Sequence, residues 1–256
     1  MPLATDPLEL LSEIKTHGLV KQADQWGSYA TFSQYRIPFR KTSAYLAAPA
    51  RVLDWGCGNG HFSYFLTRNG IRTVGYSFDD PPAHLRSAPL FEHVRGRTSD
   101  PVTIPFEANS FDAVFSIGVL EHVHESGGDQ KASLAEIHRI LKPGGLFFCF
   151  HLPNRYTWIE FIVRQANRWL GTQMHQHTKL FNYARFTALM EGLTFEMLES
   201  GRYNIIPRNR LTKCPDVVVD SRAGARAIDA LDHALSVLFP WFCQNWYFIL
   251  RKSPRA

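Results

Sequence analysis

The sequence predicts an α/β fold: a mostly parallel sheet with helices on both faces and an antiparallel C-terminal edge strand. Three observations carry this expectation. Short apolar segments alternate with amphipathic ones from Arg51 to Leu152, which is the pattern of parallel strands joined by helical crossovers. Glycines 56, 58 and 60 form a turn between the first such strand and its helix. The closing segment "NWYFILRK" reads as a strand that need not arrive by a parallel crossover.

Each element follows from its local pattern. Residues 1–48 read as helical pieces with many aromatics: Trp26, Tyr29, Phe32, Tyr35, Phe39 and Tyr45. "RVLDWG" is a short apolar strand and "GHFSYFLTRNG" a helix closed by Gly70. "IRTVGYSF" is the next strand, "PPAHLRSAPLF" a short helix or loop, "EHVRGR" a weaker strand and "FDAVFSIGVL" a strong one. "DQKASLAEIHRIL" puts Leu134, Ile137, Ile140 and Leu141 on one helical face, and "KPGG" stops it before the strand "LFFCFHL". Beyond Pro153 come a helix in "YTWIEFIVRQANRWLG", a His-rich loop, a helix in "YARFTALMEGL", the strand "TFEMLESG" and a helix near 223–238.

A chain of 256 residues with 45% hydrophobic content is long enough for one domain with appendages, or two. The net charge of +5 is spread along the chain, with local density only around 202–213 and in the tail. A nucleic-acid footprint gathers its charge on one face, so no nucleic-acid partner is expected. Cys57, Cys149, Cys214 and Cys243 form no C-x-x-C pair and stand at no zinc-ligand spacing from His. The first 18 residues carry acids and no long apolar run, unlike a signal peptide. The most apolar stretch, 234–250, is interrupted by Pro240, Gln244 and Asn245, so no stable membrane insertion is expected. A cytoplasmic location is the resulting expectation. Nothing in the sequence indicates an oligomeric state.

Three stretches occur in order: "VLDWGCGNG", "NSFDAVFSIGVLEHV" and "LAEIHRILKPGGLFFCF". Together they resemble the first motif, the fourth-strand segment and the fifth-strand segment of the class I S-adenosylmethionine-dependent methyltransferases, over residues 50–152. The resemblance implies a Rossmann-like, seven-stranded sheet and S-adenosyl-L-methionine as cofactor. It implies an N-terminal helical lid at 1–48, with Arg36 or Arg40 near the cofactor carboxylate. The methyltransferase domain would span 49–256, with a substrate-covering region at about 153–240.

Residue by residue, the resemblance has Asp54 orient the glycine turn or meet the cofactor's ammonium. Gly56, Cys57, Gly58 and Gly60 let the backbone approach the methionine moiety and ribose, and Asn59 replaces a frequent threonine. "SDPVTIPF" resembles the family's adenine segment, so Asp100 would accept from the adenine amino group beside Pro101. Ile117 and Gly118 would lie under the sulfonium. Ser77 is a departure, because the family usually places Asp or Glu there to hold the ribose diol. Phe78 follows it, and Asp79, Asp80 or water would supply the missing contact.

Methyl transfer from a sulfonium needs positioning first, and a base only if the acceptor must lose a proton. His151, closing the fifth strand, is the first candidate base. His122 is the second, with His124, His175 and His177 nearby in the sequence. Quinone-precursor O-methyltransferases look similar at "LEH" but carry a further glutamate three residues earlier and use the cluster to hold a metal. Gly118 stands there, so no metal is expected. Cyclopropane fatty acid synthases are similar at "SIGxxEHV" and often carry Thr or Ser at the Ser77 position. The expected function is methylation, chiefly at oxygen, of a small-molecule intermediate. A carbon-methylating or cyclopropane-type lipid enzyme and a non-catalytic cofactor-binding subunit are the alternatives.

Overall fold

The computed structural model describes residues 3–16, 27–80, 83–173 and 177–254. They divide into two compact units: 1–47, 156–176 and 202–245 form one, and 48–155, 177–201 and 246–256 the other.

The larger unit is built on a seven-stranded sheet. Its strands are β1 (Arg51–Trp55), β2 (Arg72–Ser77), β3 (Phe91–Arg95), β4 (Phe111–Ile117), β5 (Leu141–Pro153), β6 (Phe195–Tyr203) and β7 (Asn245–Lys252). They lie in the order β3-β2-β1-β4-β5-β7-β6. The first five pair in parallel, and the two C-terminal strands run antiparallel at the other end. The expected fold class is thus observed.

β1 and β4 are neighbours although two strands separate them in the chain. Such a reversal of strand order opens a crevice at the strands' carboxyl ends, where ligands bind in open α/β sheets. The glycine turn leaves β1 there, and Gly118 leaves β4.

β4 is buried on both faces, as a central parallel strand must be. Its Phe115 stacks on Phe148 of β5 at 4.6 Å. The "KPGG" segment, expected as a turn, is instead the start of β5. An irregularity between Phe111 and Ala113 absorbs it: Phe111 pairs with Leu141, whereas Ala113 pairs with Leu146.

The helix Gln130–Ile140 holds the loops at the sheet's carboxyl end. Asp129 caps it through Ala132 N at 2.8 Å. The buried Gln130 donates to the Leu120 carbonyl at 2.7 Å. Glu136 accepts from Ile104 N, and Arg139 donates to the Ile104 and Phe106 carbonyls. One helix thereby fixes both the loop after β4 and the loop after Pro101.

The smaller unit is helical among its described residues. It includes Pro7–Thr16, Tyr29–Phe32, Arg36–Tyr45, Trp158–Leu170, Asp216–Val219 and Arg222–Leu238. Phe32, Tyr35 and Phe39 pack on one another, with Tyr35 and Phe39 stacked at 5.8 Å. Phe32, Tyr35 and Phe39 are buried within this unit, and Trp26 lies outside the described residues. Arg36 pairs with Asp229 at 3.2 Å. The buried Arg208 also meets Asp229, at 2.8 Å, and Asp232, at 3.3 Å. No described helix is long and apolar enough to cross a membrane.

Candidate active site

The turn after β1 is held against β2. Gly56 N and Cys57 N both donate to the Tyr76 carbonyl, at 2.7 and 3.2 Å. Gly56 has φ +76°, and a Cβ built there would lie 2.4 Å from Val119 Cγ2. The turn thus presses its bare backbone against the loop that follows β4, which only glycine permits.

Asp54, buried at the end of β1, accepts from Ser63 Oγ at 2.6 Å. Ser63 is in the helix His61–Arg68, which begins after Gly60. Burial pushes the Asp54 carboxyl up to about 6 against the pull of its Ser63 hydrogen bonds. These contacts fasten β1 to the helix that follows the glycine turn.

Beside the turn lies a cavity of about 190 Å³ lined by Trp55, Gly56, Gly58, Tyr76, Ser77, Phe78, Asp79, Pro101, Val119, His122, Val123 and Ser126. Six residues expected to hold the cofactor line it: Gly56, Gly58, Ser77, Phe78, Asp79 and Pro101. Cys57, Asn59 and Gly60 belong to the same turn. Gly60 N donates to the Cys57 carbonyl at 2.8 Å, and Gly60 adopts φ +74° at the start of the following helix. Asp100 is tied to its own turn, its exposed carboxylate accepting from Thr103 N at 3.1 Å. That contact holds its pKa below the usual range.

Ile117 ends β4, and Gly118 follows with φ +67°. A Cβ on Gly118 would lie 3.7 Å from Glu121 Oε1 and 3.8 Å from His151 Cβ. The structure therefore gathers Gly118, Glu121 and His151 at one place. Glu121 is 4% exposed, and its Oε2 has no hydrogen-bond partner among the described residues. Burial pushes its carboxyl up to about 7, against the nearby His122 and His177. His122 Nε2 is 4.0 Å from Glu121 Oε1, and its Nδ1 is 2.9 Å from Glu125.

His151 is the first candidate base. It lies within β5 at φ +58°. Burial, then the neighbouring His61, push its imidazole down to about 3. A base so weak holds almost no proton at neutral pH. His61 is itself pushed down to about 4 by burial and by His84. Both imidazoles are thus held neutral, whereas the Glu121 carboxyl is raised to about 7. Sequence reading quoted Glu121 only as part of "LEH", because burial is invisible there.

A third metal-type ligand approaches the Glu121–His122 pair. With Gly118 in place of a glutamate, Glu121 and His122 were one ligand short. The structure supplies His177: ligand atoms of Glu121, His122 and His177 lie within 4.8 Å of one another. Of the other histidines, His124 bonds Thr178 at 2.8 Å, and His175 lies outside the described residues. His93 was not foreseen. Its Nε2 is 3.0 Å from Ser77 Oγ.

Residues 53–149 match the family described as "Methyltransferase domain". A probable S-adenosylmethionine-dependent methyltransferase of Mycolicibacterium smegmatis is 28% identical over 65% of this chain and 59% of its own length. A ubiquinone biosynthesis O-methyltransferase of Cereibacter sphaeroides is 32% identical over 50% of this chain and 53% of its own. The chain thus spans little more than half the length of these curated relatives. The crystal structure of a SAM-dependent methyltransferase from Archaeoglobus fulgidus superposes with a TM-score of 0.56 at 18% identity, covering 95% of this chain and 99% of that one. That likeness concerns the fold. The matched segment contains both the turn that builds the cavity and the strand that ends just before Gly118, and over this segment the chain is similar to S-adenosylmethionine-dependent methyltransferases.

Proposed function

We propose that the protein methylates a hydroxyl oxygen of a small-molecule intermediate, with S-adenosyl-L-methionine as donor. The observation that carries this reading is Glu121: a buried carboxyl oxygen with no hydrogen-bond partner among the described residues, beside Gly118, and adjacent to His122 of the cavity wall. Its carboxyl, pushed up to about 7, suits removal of a hydroxyl proton at neutral pH.

The cavity fits the cofactor's chemistry. The bare backbone of Gly56 and Gly58 would take the amino-acid portion. Trp55, Phe78, Pro101 and Val119 offer apolar walls to the base, and Ser77 and Asp79 offer oxygen acceptors to the ribose. When bound, the cofactor supplies a methyl group already activated on a sulfonium. The protein's own part is orientation and proton removal. Gly118 leaves space beside Glu121 and His151. Glu121 accepts the hydroxyl proton, and the neutral His151 and His61 add no opposing charge. The relative named for ubiquinone biosynthesis is an O-methyltransferase, which supports oxygen as the acceptor atom.

Turnover with isotopically labelled donor over a panel of hydroxylated aromatic acceptors tests this reading. An O-methyl ether made by the wild type, and lost in Glu121→Gln, is the expected result. A methylated or cyclopropanated carbon would assign the lipid alternative. Cofactor binding without turnover on any acceptor would assign the non-catalytic subunit.

One observation favours a second reading. Glu121, His122 and His177 present an acid and two imidazoles to a common point, a donor set that suits a divalent transition metal. A metal there would polarise the acceptor oxygen in place of a base. Loss of turnover on chelation, with recovery on adding zinc or iron(II), would select it.

A further inference from the structure

Ser77 stands where the resembled family places a ribose-binding acid, and the structure gives its hydroxyl two polar neighbours. His93 Nε2 is 3.0 Å away, and the Asp79 carbonyl 3.3 Å. β2 and β3 explain the juxtaposition. Gly75 is directly opposite His93 and Ser77 opposite Arg95, so Ser77 and His93 are diagonal neighbours on one face of the sheet. Ser77 is buried and also lines the cavity.

We propose that Ser77 and His93 act as one unit in place of that acid, with neutral His93 taking the Ser77 proton so that Ser77 Oγ accepts from a ribose hydroxyl. The inference rests on the cavity being the S-adenosylmethionine site.

The hydroxyl's capacity decides the matter. A serine hydroxyl has one proton and two lone pairs. With His93 neutral, the Ser77 proton points to Nε2, and both lone pairs are left for the ribose hydroxyls. With His93 protonated, Nε2–H donates to Oγ and takes one of them, while the Ser77 proton turns to the Asp79 carbonyl. Half of the acceptor capacity is then lost. His93 is therefore a positioning residue, and its protonation state sets what Ser77 offers.

The groups acting on His93 leave it neutral at physiological pH. Burial lowers its pKa from 6.5. Asp80 opposes that shift and Arg95 adds to it, and these two are paired with each other at 2.9 Å. Cofactor affinity is then constant near neutrality and falls as pH drops through a value below 6.5.

Calorimetry with S-adenosylhomocysteine, whose sulfur carries no positive charge, tests the unit. Ser77→Ala and His93→Leu should each weaken binding about three- to tenfold, and the double variant should be no weaker than either single one. His93→Gln keeps an acceptor but cannot titrate. It should bind within about twofold of the wild type and lose the decline at acid pH. Losses that add in the double variant, wild-type binding by Ser77→Ala, or an unchanged acid decline in His93→Gln would each overturn the unit. Should His93→Leu not fold, the pH profile of His93→Gln decides alone. Absence of any binding by the wild type would instead remove the underlying cofactor assignment.

Discussion

Ser63 Oγ donates a 2.6 Å hydrogen bond to the buried Asp54 carboxylate, fastening the helix after the glycine turn to the strand before it. Ser63→Ala leaves that carboxylate without its side-chain donor. The expected cost is about 1–3 kcal/mol of stability, read as a lower urea midpoint with an unchanged slope.

Asp54 also gives stability a pH dependence whose sign is fixed by its raised pKa. The unfolded carboxyl titrates near 3.8 and the folded one at about 6. The folded state therefore holds its proton longer, and this contribution is present below 3.8 and lost as pH rises through about 6. Asp54→Asn should remove that part of the slope, on the order of 2–3 kcal/mol between pH 4 and pH 7. An Asn variant whose stability follows the wild-type pH profile would contradict this.

Glu121→Gln should lower kcat by about 10²- to 10⁴-fold with cofactor affinity nearly unchanged. A base acts only when ionised, so wild-type kcat/KM should rise with pH and level off above about 7. His151→Ala should leave that rising limb in place, because its imidazole is already neutral. The base account also expects turnover to survive prolonged chelation. A chelator-sensitive enzyme further weakened by His177→Ala would transfer the role to a metal.

In the smaller unit, Arg208 faces Asp229 and Asp232 while all three are buried. Arg208→Ala leaves Asp232 without a cation and Asp229 with Arg36 alone, and should cost about 3–5 kcal/mol, measured by chemical denaturation. A loss under 1 kcal/mol would show that the acids are satisfied some other way.

Much of this was legible in the sequence. β7 was expected over 245–252 and is found there, because β-branched and aromatic residues cluster in a short run. The helix Gln130–Ile140 follows from its apolar spacing and the Asp129 cap. The glycine turn was legible because its glycines meet a steric demand, seen in the approach of Gly56 to Val119. What escaped depends on pairings far apart in the chain. His177 meets Glu121 across 56 positions, and His93 meets Ser77 only through the register of β2 and β3. The low basicity of His151 comes from burial and from His61, and neither is a property of its neighbours in sequence.

The central claim is that the cavity beside the glycine turn receives S-adenosylmethionine. Gly56→Ala places a methyl group against Val119 at positive φ, which distorts the cradle while the sheet keeps its core. Calorimetry of S-adenosylmethionine with both proteins tests the claim most directly. Stoichiometric binding by the wild type, weakened at least about tenfold in a folded Gly56→Ala variant, is the predicted result. No binding by the wild type, or equal binding by both, would contradict it.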